Sequence, residues 1–214
     1  MEPSTASREA TDRDIETITE TLTLAFAADP VWGGWAFPDR ARAGAQRWAY
    51  FRLCVEAALP HRWVRVTRGC EAVASWIPPG RIEFTPEDEA RLVTLAGEML
   101  GDHAEVFLKG TDLFSASHPL ERPHYYLSLL GTRDNHRGKG LGMKLLRENL
   151  ARIDAERMPA YLESTNPGNL TRYERLGFVQ IGAFTLPGGG PRVDMMWREP
   201  VDHARTDAAR YAPR

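Results

Sequence analysis

The sequence predicts a mixed α/β fold in which one sheet carries helices on both faces. Segments with strand-like alternation occur in both halves of the 214-residue chain, and segments with helical spacing of apolar residues separate them. Two strand segments, 124–131 and 159–164, are joined by a helical one, so we expect a mixed sheet. Because 43% of the residues are hydrophobic, the chain can bury a full core. We expect one domain over residues 1–200 and a flexible tail over residues 201–214.

The N-terminal quarter predicts two helices. Residues 11–14 offer helix caps, and apolar residues then recur at spacings of three and four until Asp29, which precedes a proline. Residues 31–38 contain two glycines and a proline and are predicted to form a loop. A second helix is predicted over residues 39–59, with an aspartate at its start and a proline after its end.

A hairpin and a third helix follow. Residues 63–67 alternate in polarity, a glycine marks a turn, and residues 72–77 supply the partner strand. The third helix is predicted from Thr85, which precedes a proline at the first helical position, to about residue 100, with helical pattern continuing to Phe107. Residues 110–123 are predicted to be irregular.

The C-terminal half predicts alternating strands and helices that end in a hairpin at a Gly-Gly-Gly-Pro turn. The predicted strands are 124–131, 159–164, 178–185 and 193–197, and the predicted helices are 139–157 and 168–176.

A glycine-rich loop lies between the first of these strands and its helix. The loop Arg137–Gly142 has the sequence Arg-Gly-Lys-Gly-Leu-Gly. Its backbone N–H groups and the start of the helix can together face an anion, and glycine lets a ligand approach the backbone closely. The spacing from Gly131 to Gly138 excludes a Walker A loop, and the pattern G-x-G-x-G is not the dinucleotide fingerprint. We therefore expect a cofactor that contains pyrophosphate.

Two motifs together resemble the GCN5-related N-acetyltransferases (GNAT family). The first is the Arg-x-x-Gly-x-Gly of the loop, which is similar to that family's acetyl-CoA-binding motif. The second is Leu-Glu-Ser at 162–164, followed over 166–178 by an asparagine and Tyr-Glu-Arg-Leu-Gly-Phe. The resemblance covers about residues 124–198 and is tighter to the puromycin N-acetyltransferase-like branch.

This resemblance implies a sheet that is largely antiparallel, with one parallel strand pair that splays apart near Leu130 and Ser164. Acetyl-CoA, as cosubstrate, would enter between the two strands. Either Asn169 or Asn166 matches the family's asparagine, and we favour Asn169. The implied cofactor-binding residues are Leu130, Thr132, Arg137, Gly138, Lys139, Gly140, Leu141, Gly142 and Asn169.

Two residues are candidates for catalysis. Amine acetylation needs a neutral amine, whereas an alkyl ammonium has a pKa of about 10.4, so a base is helpful. Glu163, at the end of its strand, is the candidate base, with a surface or salt-bridged carboxylate as the alternative. Tyr173 matches the family's general acid and would protonate the leaving thiolate, with simple packing as the alternative.

The aromatic residues of the 31–38 loop are candidates for the acceptor pocket. Trp32, Trp35 and Phe37 could wall such a pocket, or they could form a hydrophobic lid or core patch.

The predicted function is transfer of an acetyl group from acetyl-CoA directly to an amine of a small molecule. The alternatives are an acetyltransferase for protein N-termini or side chains, and a non-catalytic acyl-CoA-binding sensor. A net charge of −2 gives no reason to expect nucleic acid or a membrane as partner.

The remaining features favour a cytoplasmic protein, either monomer or homodimer. The two cysteines lack metal-ligand spacing and are expected to be reduced, and we expect no metal. No apolar run is long enough to cross a bilayer, and the N-terminus lacks the features of a signal peptide.

Overall fold

The computed structural model describes residues 7–201. Of the tail predicted for residues 201–214, residues 202–214 lie outside the described residues. The described residues contain seven strands: β1 Arg8–Glu9, β2 Val64–Val66, β3 Ala72–Ile77, β4 Tyr125–Thr132, β5 Ala160–Ser164, β6 Val179–Thr185 and β7 Arg192–Arg198. They form one sheet in the order β1-β2-β3-β4-β5-β7-β6.

All neighbouring strands pair antiparallel except β4 and β5, which are parallel. This confirms the predicted mixed, largely antiparallel sheet. The helices are α1 Ile15–Ala25, α2 Ala43–Ala58, α3 Pro86–Leu100, α4 Ala104–Ser117, α5 Leu141–Ala155 and α6 Leu170–Glu174.

Two hydrophobic cores lie on opposite faces of the sheet. The first core packs under α1 and α2 and includes Leu22, Phe51 and Tyr161. The second packs under α5 and includes Trp76 and Leu146. Alternating side chains of β4 and β5 supply both cores, because successive residues of a strand point to opposite faces.

Two segments differ from their predictions. The irregular segment predicted at 110–123 was wrong as far as Ser117, because α4 continues to that residue. Gly110 weakens the helical signal, but a Cβ at this position would clash with the Trp35 ring, so packing overrides propensity here. The loop predicted at 31–38 contains instead a π-helical turn, Pro30–Trp35.

A β-bulge in β4 interrupts the alternation of its side chains. On β3, Ser75 pairs with Leu129 and the next residue, Trp76, pairs with Leu127, so Ser128 is the extra residue. Before the bulge Leu127 faces the second core, whereas after it Leu129 faces the first. Ser128 and Leu129 consequently lie on the same side of the sheet.

Candidate active site

The parallel strands separate at the point where the site is built. The pairing of β4 with β5 ends at Leu127 and Leu162, although β4 continues to Thr132 and β5 to Ser164. Backbone groups of β4 beyond the bulge, at Leu130 among others, therefore face a gap rather than a paired strand. This is the splayed arrangement that the sequence predicted.

The glycine loop lies at the end of this gap. Gly138 and Gly140 have φ of +76° and +73°, and nothing lies within 4 Å of a Cβ built on either. Only glycine adopts this backbone readily. Gly140 precedes the first residue of α5, so the orphan N–H groups of a 15-residue helix start directly after the loop.

Side chains around the loop fix its position. The guanidinium of Arg137 donates to the carbonyl of Ala25 at the end of α1 and pairs with Asp134 at 2.9 Å. Thr132 Oγ1 lies 2.6 Å from where a Cβ of Gly142 would be, so only glycine lets the strand end approach the helix this closely. Lys139 is exposed on the loop, and Leu141 packs against the second core.

Both candidate asparagines have local partners. Asn166 Oδ1 accepts a hydrogen bond from the amide of Gly168 at 2.9 Å and so caps the turn that leads into α6. Asn169 Oδ1 accepts one from Arg172 at 3.0 Å. The structure thus gives Asn166 a capping role and leaves Asn169 half-buried at the start of the helix that carries Tyr173.

Tyr173 is 9% exposed and packs edge-on against Phe178, with ring centroids 6.0 Å apart. Burial raises the pKa of its hydroxyl to about 12, and the nearby carboxylate of Asp29 adds to the rise. The hydroxyl therefore keeps its proton across the physiological pH range and is available as a donor.

Asp29 is a buried carboxylate that sequence reasoning missed. It accepts hydrogen bonds from the amides of Val31 and Trp32 and from the Thr165 hydroxyl, the last at 2.8 Å. Burial raises the pKa of Asp29, and these donors oppose the rise. The Asp29–Thr165 bond ties the π-helical turn to the end of β5.

A cavity of about 320 Å³ lies on the first-core side of the strand gap. We call it the acidic cavity. Its floor comes from residues beyond the last β4–β5 pair, including Ser128 and Glu163. The lining residues are Trp32, Tyr50, Cys54, Glu83, Phe84, Glu89, Leu92, Val93, Leu108, Thr111, Asp112, Phe114, Ser115, Tyr126, Ser128, Leu129, Glu163 and Thr165.

Glu163 points into the acidic cavity from β5. Burial raises the pKa of its carboxyl to about 8, the phenols of Tyr161 and Tyr126 oppose this rise, and the charge of Glu83 adds to it. Within residues 7–201, the Glu163 Oε1 atom is buried and has no hydrogen-bond partner. A carboxyl whose pKa lies near the working pH is suited to accept and release a proton.

Glu83 is a second carboxyl in the same cavity. It accepts a hydrogen bond from the hydroxyl of Ser128, the extra residue of the bulge. Burial raises the pKa of Glu83, and the hydrogen bond from Ser128 partly offsets this. The sequence around Glu83 carries no periodic or motif signal that marks it.

Three comparisons bear on this arrangement. Residues 82–178 match the model of the acetyltransferase (GNAT) family. That segment contains the strand gap, the glycine loop, Glu83, Glu163 and Tyr173. Members of this family use acetyl-CoA as the acetyl donor.

Individual relatives agree with this assignment. The chain is 32% identical over 85 residues to an uncharacterized N-acetyltransferase of Schizosaccharomyces pombe, and this match spans 39% of the chain and 34% of the relative. The match therefore spans about a third of that relative's length. The name of this relative and the family description both support an N-acetyltransferase.

Solved structures share the fold over nearly the whole chain. A structure described as histone acetyltransferase HPA2 and related acetyltransferase from Corynebacterium glutamicum is 29% identical, with a TM-score of 0.67 over 92% of this chain and 97% of that one. Arylalkylamine N-acetyltransferase 2 from Aedes aegypti is 12% identical, with a TM-score of 0.61 over 92% and 99%. The second likeness shows the GNAT fold alone.

The aromatic residues predicted for the acceptor pocket occupy different places in the structure. Trp32 lines the acidic cavity and stacks on Tyr50 at 4.8 Å. Trp35 lies outside the lining because its indole N–H donates to the carbonyl of Pro187 at 3.0 Å. Phe37 is 1% exposed and packs in the first core.

Cys54 also lines the cavity, and burial raises the pKa of its thiol well above its ordinary value. The reactive form of cysteine is the thiolate, so Cys54 is poorly suited to carry an acetyl group.

No helix within residues 7–201 has both the length and the apolar character to cross a bilayer.

Proposed function

We propose that this chain transfers the acetyl group of acetyl-CoA directly to an amine of a small molecule. The observation that carries the proposal is the position of Glu163. Its carboxyl, with a pKa of about 8, points into a cavity whose floor begins where β4 and β5 separate. The amine of an acceptor in the cavity and a thioester in the gap would therefore meet beside the Glu163 carboxyl.

The cofactor is assigned to the gap and the glycine loop. The pyrophosphate would accept hydrogen bonds from backbone amides of Arg137–Gly142, supported by the start of α5. The thioester would lie between the separated strands, where a free backbone N–H near Leu130 could stabilise the oxyanion. The open space above Gly138 and Gly140 supports this assignment.

The proton balance of the reaction uses two side chains. The ammonium of the acceptor gives a proton to the Glu163 carboxylate, and the neutral amine attacks the thioester carbon, forming the C–N bond. The C–S bond then breaks, and the thiolate takes a proton from the Tyr173 hydroxyl. Tyr173 regains its proton from the nitrogen of the new amide through solvent, so one proton in total is released, from Glu163 to solvent.

Tyr173 is a weak acid in this setting. A thiolate resembles that of cysteine, whose thiol has a pKa of about 8.5, whereas the Tyr173 pKa is about 12. Proton transfer from Tyr173 to the thiolate is therefore uphill on its own, and it is completed because the nitrogen of the new amide returns a proton to Tyr173.

We also propose a class of acceptor and a location for this protein. The puromycin-type motifs at 162–178 support a small-molecule amine of the antibiotic or specialised-metabolite kind. Both cysteines are free and buried, which agrees with a reducing compartment such as the cytoplasm.

The test is release of free thiol from acetyl-CoA by the purified chain in the presence of a library of small amines, with peptides as a second library. Acetylated small amines are the expected product, identified by mass. Transfer only to peptides would replace the small-molecule acceptor with a protein acceptor. Binding of CoA with no turnover in either library would indicate a sensor and contradict the proposal.

A further inference from the structure

The acidic cavity has an unbalanced set of charges. Four of its lining residues carry carboxyl groups, and within the described part of the chain the lining includes no lysine, arginine or histidine. Glu83 and Glu163 lie inside the cavity, whereas Glu89 on α3 and Asp112 on α4 are exposed at its rim. The reaction proposed above needs only one of these carboxyls.

Glu83 is the carboxyl that calls for an explanation. Its hydrogen-bond donor is the neutral hydroxyl of Ser128, and it acts electrostatically on Glu163, whose buried Oε1 atom has no partner among the described residues. A buried carboxylate is costly unless it is paired with a cation. A neutral residue at this position would avoid that free-energy cost. The presence of a carboxyl group therefore indicates a ligand that supplies the cation.

The walls of the cavity also suit a cation. Trp32, Phe84, Phe114 and Tyr126 place aromatic rings around it, and ring faces attract ammonium groups. Phe114 and Trp32 lie 5.9 Å apart in a near-parallel arrangement, so this wall is continuous.

From this charge balance we infer that the acceptor carries a second cationic group, and that Glu83 binds it while Glu163 receives the reacting amine. The acceptor class is therefore a diamine or polyamine rather than a simple monoamine. Glu89 and Asp112 at the rim attract the same polycation as it enters. This inference rests on the proposed function.

The experiment compares matched acceptors, butylamine and 1,4-diaminobutane, in the wild type and in Glu83→Gln. Glutamine keeps an acceptor for the Ser128 hydroxyl and removes only the charge. We expect the wild type to prefer the diamine and the variant to lose about 10- to 100-fold in kcat/KM for it, as for a lost charged hydrogen bond. The value for butylamine should fall much less, because a monoamine makes no such bond and any change through the pKa of Glu163 is common to both amines.

Glu87→Gln is the matched control, because Glu87 lies on α3 outside the cavity lining and loses the same charge. Glu87→Gln should leave kcat/KM for both acceptors unchanged. An equal loss for both amines in Glu83→Gln would show a structural role for Glu83 and overturn the inference, as would a wild type that prefers butylamine.

Calorimetric binding of 1,4-diaminobutane separates this inference from the proposed function. If the wild type binds the diamine, Glu83→Gln does not, and no acetyl transfer occurs, the result would support the cation site and contradict the acetyltransferase proposal. If other amines are acetylated and the wild type does not bind the diamine, the result would support the acetyltransferase proposal and contradict the second cation site.

Discussion

The proposed cofactor side and the proposed acceptor side of this molecule are built in different ways. The proposed cofactor side uses backbone groups from one continuous stretch, from β4 through the glycine loop to the start of α5. The acidic cavity uses side chains that range from Trp32 to Thr165 in the sequence. A continuous backbone site is visible as a motif, whereas a site of scattered side chains appears only after folding.

The largest effect is expected from Gly140→Val. Gly140 has a left-handed backbone that valine adopts poorly, and its amide belongs to the loop assigned to pyrophosphate. We expect CoA binding, measured by calorimetry, to fall below detection. Gly189→Val is the control, because Gly189 has a similar φ of +72° and open space around it in the β6–β7 turn. Equal loss of CoA binding in both variants would mean that strain, not the loop, is responsible.

Tyr173→Phe should lower kcat by up to about 10²–10⁴-fold, the usual range for a lost general acid. The ring keeps its contact with Phe178, so CoA affinity and the melting temperature should change little. Phe178→Leu serves as a packing control that keeps the hydroxyl. Should Tyr173→Phe turn over at the wild-type rate with chemistry limiting, the thiolate is protonated by another group.

Glu163→Gln should change the pH dependence of kcat/KM. The wild-type rate should rise until the carboxyl, with its pKa of about 8, is ionised. The variant should depend only on ionisation of the amine, with a pKa of about 10. The difference should therefore be widest near pH 8 and should shrink at higher pH. A loss that is the same at every pH would indicate that Glu163 only positions the acceptor.

Glu163 should also make the stability of the protein depend on pH, but in the opposite direction to its effect on the rate. In the unfolded chain Glu163 has its ordinary pKa of 4.5, and in the folded chain its pKa is about 8. The folded state thus holds an extra proton between these values, and the free energy of unfolding falls as pH rises through this window. Glu163→Gln removes this dependence. Denaturant unfolding at pH 5 and pH 8 should therefore show the variant gaining stability relative to wild type at pH 8. A gain that is no larger at pH 8 than at pH 5 would contradict the raised pKa.

The smallest effect is expected from Thr165→Val, which removes the hydrogen bond to Asp29. A lost buried hydrogen bond costs about 1 kcal/mol of unfolding free energy. Because this bond holds the turn that carries Trp32, KM for the acceptor should rise a few-fold while CoA affinity stays constant. Thr94→Val, on α3 and away from the cavity, is the control. A change in CoA affinity instead of acceptor KM would contradict the division between the two sides.

The sequence predicted the cofactor side more completely than the acceptor side. The strand, loop and helix around Arg137–Gly142 follow from local spacing, and the structure has all three. Trp32 lines the cavity, but Trp35 and Phe37 do not, because the direction of each ring depends on contacts with distant residues. Asp29 and Glu83 were missed for the same reason, since their partners Thr165 and Ser128 are remote in sequence.

The bulge at Ser128 has a consequence for how such a protein can diversify. One extra residue in β4 places a hydroxyl beside Glu83 and reverses the facing of every later residue of the strand relative to a regular pairing. If Ser128 were paired regularly, the Leu130 side chain would point into the first core and Leu129 toward α5. Loss of the bulge would thus alter both the proposed acceptor cavity and the proposed cofactor gap, whereas substitutions at Glu83 or Trp32 leave the glycine loop untouched. Evolution can therefore change the acceptor cavity by substitution, while the bulge in β4 must be preserved.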